Sequence, residues 1–192
     1  MAMPQKFDTS TSALVLIDLQ TGITSFDVAP HTSADVIARA AQLADAFRQA
    51  DRPVVLVHVT PSADGRDGLA PDADAPMISR DRPADWADFV PELKVADSDI
   101  VITKRQWGAF YGTELDLQLR RRGIKTIVLG GIATNIGCES TARDAYERGY
   151  NQLFVEDAMA SFSAADHQFA FRQIFPRIGR VVAAQDVLAA VA

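Results

Sequence analysis

The chain has 192 residues, 48% of them hydrophobic, enough to bury one core of ordinary size in a single domain spanning 1–192. With 19 Lys and Arg against 25 Asp and Glu, its net charge of −6 argues against nucleic acid or an acidic membrane as partner and favours small uncharged or polar substrates. One cysteine excludes an internal disulfide, no apolar run is long enough to cross a bilayer, and Met1 to Ser12 lacks a signal-peptide layout, so the expected location is the cytoplasm.

In chain order, the first element is the apolar run Ala13-Leu14-Val15-Leu16-Ile17, which ends at Asp18. Gln20 and Phe26 follow it and are candidates for substrate contact. Val36, Ala40, Leu43, Ala44 and Phe47 then recur at helical spacing, with Arg39, Gln42, Asp45 and Gln49 largely on the opposite side, which predicts an amphipathic helix. Val54 to Val59 is a second apolar run. His58 within it reads as a core histidine satisfied by hydrogen bonds.

Between Pro61 and Pro91, Pro, Asp, Gly and Arg displace periodic apolar residues, which predicts a long surface excursion. Met77, Trp86 and Phe89 within it are placed to cover a pocket or meet a partner subunit. A third run, Ile100 to Thr103, ends at Lys104, and Trp107, Phe110 and Tyr111 after it are candidates to wall an apolar pocket. Thr113 before Leu115, the cationic stretch Arg120-Arg121-Arg122 and then Gly123 predict a capped helix with its stop.

The fourth run, Thr126 to Leu129, leads through a glycine-containing turn to Cys138, where a helical pattern begins. A thiol in the first turn of a helix meets the positive end of the macrodipole, which favours the thiolate. Backbone N–H groups there also suit a developing oxyanion. Asn135 in this turn is a candidate polar contact. Gln152 to Val155 and Arg180 to Ala183 complete the apolar runs, and His167, after Ser163, reads as solvating the first turn of a helix.

Short runs without clean alternation suit strands buried on both faces, and strand and helix patterns alternate along the chain. Together they predict a three-layer α/β/α sandwich with a mainly parallel sheet. In such a sheet the carboxyl ends of the strands form the ligand crevice. Asp18, Lys104 and Cys138 all stand there, supplying an acid, a cation and a thiol.

The segments Leu14 to Gln20, Thr103 to Phe110, Gly130 to Cys138 and Glu156-Asp157-Ala158 resemble the isochorismatase-like (cysteine hydrolase) superfamily over nearly the whole chain. The resemblance implies a six-stranded, Rossmann-related sheet, catalysis by Asp18, Lys104 and Cys138, an oxyanion hole at the N–H groups of Ala133 and Cys138, and a cis peptide at Ile132-Ala133. It also implies hydrolysis of a C–N bond in a small amide, carbamoyl or ureido compound through a Cys138 thioester, by a homodimer or homotetramer. Two alternatives stand beside it: an isochorismatase-type enol-ether hydrolase, and an idle oligomeric binding module. The turn before Cys138 is one residue longer than in nicotinamidases and resembles that of isochorismatases. His31 and His58 lack the Asp-x-His pairing with which nicotinamidases hold a metal, so neither a metal site nor a cofactor is expected.

Overall fold

Each apolar run forms a strand of one parallel sheet: β1 (Ser12–Ile17), β2 (Val54–Val59), β3 (Ile100–Lys104), β4 (Thr126–Ile132), β5 (Asn151–Ala160) and β6 (Arg180–Val182). The computed structural model describes residues 7–75 and 82–192, so Met77 lies outside the described residues. Between the strands run α1 (Thr21–Thr24), α2 (Ser33–Gln49), α3 (Leu115–Arg121), α4 (Glu139–Glu147), α5 (Ala164–Phe169) and α6 (Phe175–Ile178), and α7 (Ala184–Val191) follows β6.

The strand order is β3-β2-β1-β4-β5-β6. Side chains alternate across the buried strands, so β1 sends Ala13, Val15 and Ile17 into one apolar layer and Leu14 and Leu16 into the other. The first layer packs against α3, α4 and α6 through Leu115, Leu119, Ala142, Ala145 and Phe175. The second packs against α2 and α7 through Val36, Ala40, Leu43, Phe47 and Val187. Burying a Leu, Val or Phe in either layer is worth about 2 kcal/mol. The three-layer sandwich expected from strand and helix alternation is therefore the observed fold.

Local chemistry sets the helix ends. Thr32 and Asp35 form a reciprocal capping box at the start of α2, whose buried stripe is the one read from sequence. Thr113 satisfies the α3 start by accepting from the Leu115 N–H at 3.2 Å, and Gly123 takes the left-handed conformation after its last turn. The strand β5 runs longer than its apolar core, because Glu156 and Asp157 continue the extended backbone past Val155.

The sheet reverses its build direction between β1 and β4, which pair from Ser12↔Thr126 to Ile17↔Gly131. The carboxyl ends flanking that reversal are the crevice of a doubly wound sheet. Gly131 is essential to the close approach there: its φ is +126°, and a Cβ on it would fall 2.1 Å from the Ile17 carbonyl oxygen.

Candidate active site

Asp18 leaves the end of β1 with φ +53°, an αL conformation unusual for a residue with a side chain, and its N–H donates to Val57 O at 2.8 Å. Its Oδ2 lies 2.8 Å from Lys104 Nζ, and both side chains are buried. Lys104, from the end of β3, also donates to Trp107 O at 2.5 Å. Asp18 Oδ1 is buried with no hydrogen-bond partner among the described residues. One carboxylate oxygen is thus tied to the ammonium and the other is free. Burial raises the Asp18 pKa, with Lys104 opposing the shift.

The chain after β4 passes over this ion pair. The Ile132-Ala133 peptide is cis, and Thr134–Cys138 forms a five-residue π-helical turn that runs into α4. Gly137 brings the turn against the pair, since a Cβ there would lie 3.1 Å from both Asp18 Oδ2 and Lys104 Nζ and 2.9 Å from Ile17 Cγ2. Cys138 follows, fully buried, with Sγ 4.0 Å from Gly130 O.

This corrects the expected thiol chemistry. Burial pushes the Cys138 thiol far above its ordinary value, the Asp18 carboxylate adds to the rise, and Lys104 opposes both. Desolvation thus works against the thiolate that the turn's dipole would favour. The Cys138 N–H donates to Ala133 O at 3.2 Å, and so serves an oxyanion only by sharing that hydrogen. Ala133 itself lies on the wall of the adjoining cavity.

That cavity, about 480 Å³, has Asp18 and Lys104 on its lining and apolar walls of Ile23, Trp86, Trp107, Ile132, Ile136 and Phe162. Arg82, Arg105 and Gln106 add polar groups. Arg105 Nε reaches Asp67 Oδ2 at 2.6 Å, while its Nη1 is buried without a hydrogen-bond partner among the described residues. Asp18 is the one acidic lining residue described, against Arg82, Lys104 and Arg105, of which Lys104 pairs with Asp18 and Arg105 with Asp67.

Of the residues expected to touch substrate, Trp107 lines the cavity and is half exposed. Three are corrected. Gln20 is a brace with every amide atom engaged: Nε2 donates to Val59 O and Trp86 O, each at 3.0 Å, and Oε1 accepts from the Val59 N–H at 2.7 Å. Phe110 is buried in the core beside Tyr150, where an apolar ring is better placed than at a wet rim. The Asn135 side chain accepts from Ser161 Oγ and is outside the cavity lining. Phe26 stands behind the wall, its ring edge-on to Trp86 and Phe162 at 6.3 and 5.6 Å.

Trp86 closes its own chain's pocket, and Phe89 stacks on His58 at 4.9 Å. His58 bonds Ala87 O at 2.7 Å and Thr103 Oγ1 at 2.8 Å, so it ties the excursion to the sheet and acts as the structural histidine expected. His167 is different from its expectation: it is buried, with Nδ1 2.9 Å from Thr134 Oγ1 and Nε2 3.1 Å from Glu156 Oε1. Sequence reasoning passed over Arg105, although its place directly after Lys104 on a strand end was a usable signal. Arg82, Ile136 and Phe162 had no such signal.

A thiol near a buried Asp–Lys pair, at the reversal point of a doubly wound parallel sheet, makes up the candidate site of this α/β protein. The chain belongs to the isochorismatase family: the model of the isochorismatase domain matches residues 12–186. It is 54% identical over 175 residues to the isochorismatase family protein YwoC of Bacillus subtilis, covering 90% of each chain. An isochorismatase family protein from Burkholderia thailandensis has the same fold, with a TM-score of 0.93 and 49% identity over 97% of this chain and 98% of that one. More distant are the ureidoacrylate amidohydrolase RutB of Methylorubrum extorquens, 34% identical over 81% of this chain and 72% of its own, and the N-carbamoylsarcosine amidase of Thermoplasma acidophilum, 27% identical with a TM-score of 0.73 over 91% and 96%. The protein is an isochorismatase-family hydrolase. Among the described residues no helix is long and apolar enough to cross a membrane.

Proposed function

We propose that this hydrolase cleaves the C–N bond of a small amide, carbamoyl or ureido compound bearing a carboxylate, through a thioester on Cys138. The observation that carries the reading is the free oxygen Asp18 Oδ1 in a buried ion pair under the turn that holds the thiol. Amidohydrolases among the relatives support the reaction class.

Burial disfavours the Cys138 thiolate, so attack is assisted by a base at the moment of reaction. Asp18, whose raised pKa makes it a better proton acceptor than an exposed carboxylate, takes the Sγ proton as sulfur adds to the substrate carbonyl carbon. Lys104 holds the other carboxylate oxygen in place and stabilises negative charge at the site. The oxyanion is received at the turn by the N–H of Ala133 and the shared N–H of Cys138. Collapse expels the nitrogen, which takes the proton from Asp18. Water, deprotonated by Asp18, then attacks the thioester; the acid product leaves and the thiol regains its proton.

Apolar walls with Arg82 and Arg105 among the lining suit a substrate with a flat or aliphatic body and one anionic end. The test is a panel of amides, carbamoyl and ureido compounds, each with and without a carboxylate, assayed for ammonia or amine release and for a Cys138 adduct by mass spectrometry. Turnover of the carboxylate-bearing members with a trapped acyl adduct is the expected result. Pyruvate release from isochorismate without any amide turnover would replace this reading with the enol-ether one.

A further inference from the structure

Away from the cavity, three side chains from separate parts of the chain converge on one point. His31 comes from the loop before α2, Glu156 from β5 and His167 from α5. His31 Nε2 and His167 Nε2 lie 3.2 and 3.1 Å from the same oxygen, Glu156 Oε1. The one ligand atom each residue offers lies within 4.8 Å of the other two. We propose that His31, Glu156 and His167 form a binding site for a divalent transition-metal ion, zinc being the best match.

The spacing is the first reason. Zinc bound tetrahedrally at about 2.0–2.1 Å holds neighbouring ligand atoms about 3.3 Å apart. The two nitrogen-to-oxygen distances are already close to that, so an ion can replace the imidazole–carboxylate contacts with small side-chain rotations. Two imidazoles and a carboxylate are also ligands that zinc accepts together, and they leave a position for water.

The second reason lies behind His167. Its other ring nitrogen, Nδ1, is 2.9 Å from the buried Thr134 hydroxyl, the kind of outer partner that fixes a metal-binding imidazole in orientation and tautomer. With an ion on Nε2, Nδ1 carries the proton and donates to Thr134 Oγ1. His167 is 2% exposed at its side chain, while His31 and Glu156 are 29% and 40% exposed, so one ligand is a buried anchor and the other two leave a path for the ion. The loop carrying His31 is pinned by paired backbone bonds between Ala29 and Ser161, at 2.7 and 2.9 Å.

None of the three residues lines the catalytic cavity, so the ion would not touch substrate. The three donors lie far apart along the chain and are a different set from the Asp-x-His spacing sought in the sequence. Thr134 opens the turn that ends at Cys138, and the site therefore braces that turn from behind.

The test is titration of the chelator-stripped protein with Zn²⁺ by calorimetry, and with Co²⁺ by visible absorption. One ion per chain is expected, with affinity lowered about 100-fold or more in both His31→Ala and Glu156→Gln, and unchanged in Cys138→Ser. Zn²⁺ should raise the thermal midpoint of the wild type and not that of His31→Ala, whose altered side chain is partly exposed and replaceable without disturbing the core. Lack of stoichiometric binding, equal binding in His31→Ala and Glu156→Gln, or loss of binding in Cys138→Ser would each overturn the site. Amide turnover reports separately on the Cys138 reading.

Discussion

At Cys138 the packing that positions the sulfur also suppresses its ionisation. The residue is fully buried in the apolar layer shared with α3 and α4, and the neighbouring carboxylate raises its pKa further. Below its raised value the thiolate fraction grows tenfold per pH unit, so alkylation of the free protein by iodoacetamide should be slow at neutral pH and still climbing above pH 9. A plateau below pH 8 in the labelling rate would contradict a desolvated thiol. Cys138→Ala should fold normally and lose amide turnover by several powers of ten, since the attacking atom is gone and the turn is not; circular dichroism with a steady-state assay checks both halves. Gly137 gives a subtler case. A methyl there meets Asp18 Oδ2, Lys104 Nζ and Ile17 Cγ2, and the ion pair must yield. Gly137→Ala is therefore expected to cut kcat by about 100-fold, the scale of a small misplacement of reacting groups, with far less effect on the melting temperature. Unchanged kcat would show that the pair need not sit where it does.

Between elements, the tie that holds β3 to α2 is polar. Arg48, in the last turn of α2, gives two hydrogen bonds to the buried Asp99 carboxylate at 3.0 and 2.7 Å and a third to Leu93 O at 3.0 Å. Asp99→Ala would remove one of the two carboxylates that meet the guanidinium, Asp45 remaining at 3.2 Å, a loss of about 1.5–3 kcal/mol that a urea unfolding curve measures directly. The segment from Pro61 to Pro91 is also held by specific bonds. Gln20 grips Trp86 O, His58 grips Ala87 O, and Leu19 O accepts from the Val90 N–H, so the described part of the excursion is fixed as a cavity wall. Its aromatic residues therefore serve their own chain first: Trp86 lines the cavity and Phe89 covers His58.

For the whole molecule, self-association is proposed on remaining apolar surface. Phe169 is 59% exposed, and the edge strands β3 and β6 present Val101 and Val181 to solvent. Unpaired edges and exposed aromatic rings are surfaces that a second copy can cover. Light scattering at micromolar concentration should report a dimer or tetramer, and a mass near 20.8 kDa would remove the proposal. Phe171, an aromatic of the same stretch, packs into the core against Phe175 and is not part of such a surface.

The elements were legible from sequence because their causes are local. Buried parallel strands need short continuous apolar runs, and α2 needs a stripe at Val36, Ala40, Leu43, Ala44 and Phe47; both patterns are present in the residue order itself. The residues Asp18, Lys104 and Cys138 were legible for a related reason, since each ends or follows such a run and strand ends share one edge of a parallel sheet. What the tertiary structure decided depends on neighbours distant in sequence. Gln20 became a brace because Val59 and Trp86 surround it, Phe110 a core ring because Tyr150 lies beneath it, and Asn135 a partner of Ser161. The meeting of His31, Glu156 and His167 follows no spacing along the chain, being set by how the loop before α2 packs with β5 and α5. The environment of the thiol was hidden for the same reason: the dipole of a turn can be read from sequence, but the desolvation that opposes it exists only once the layers close around the sulfur.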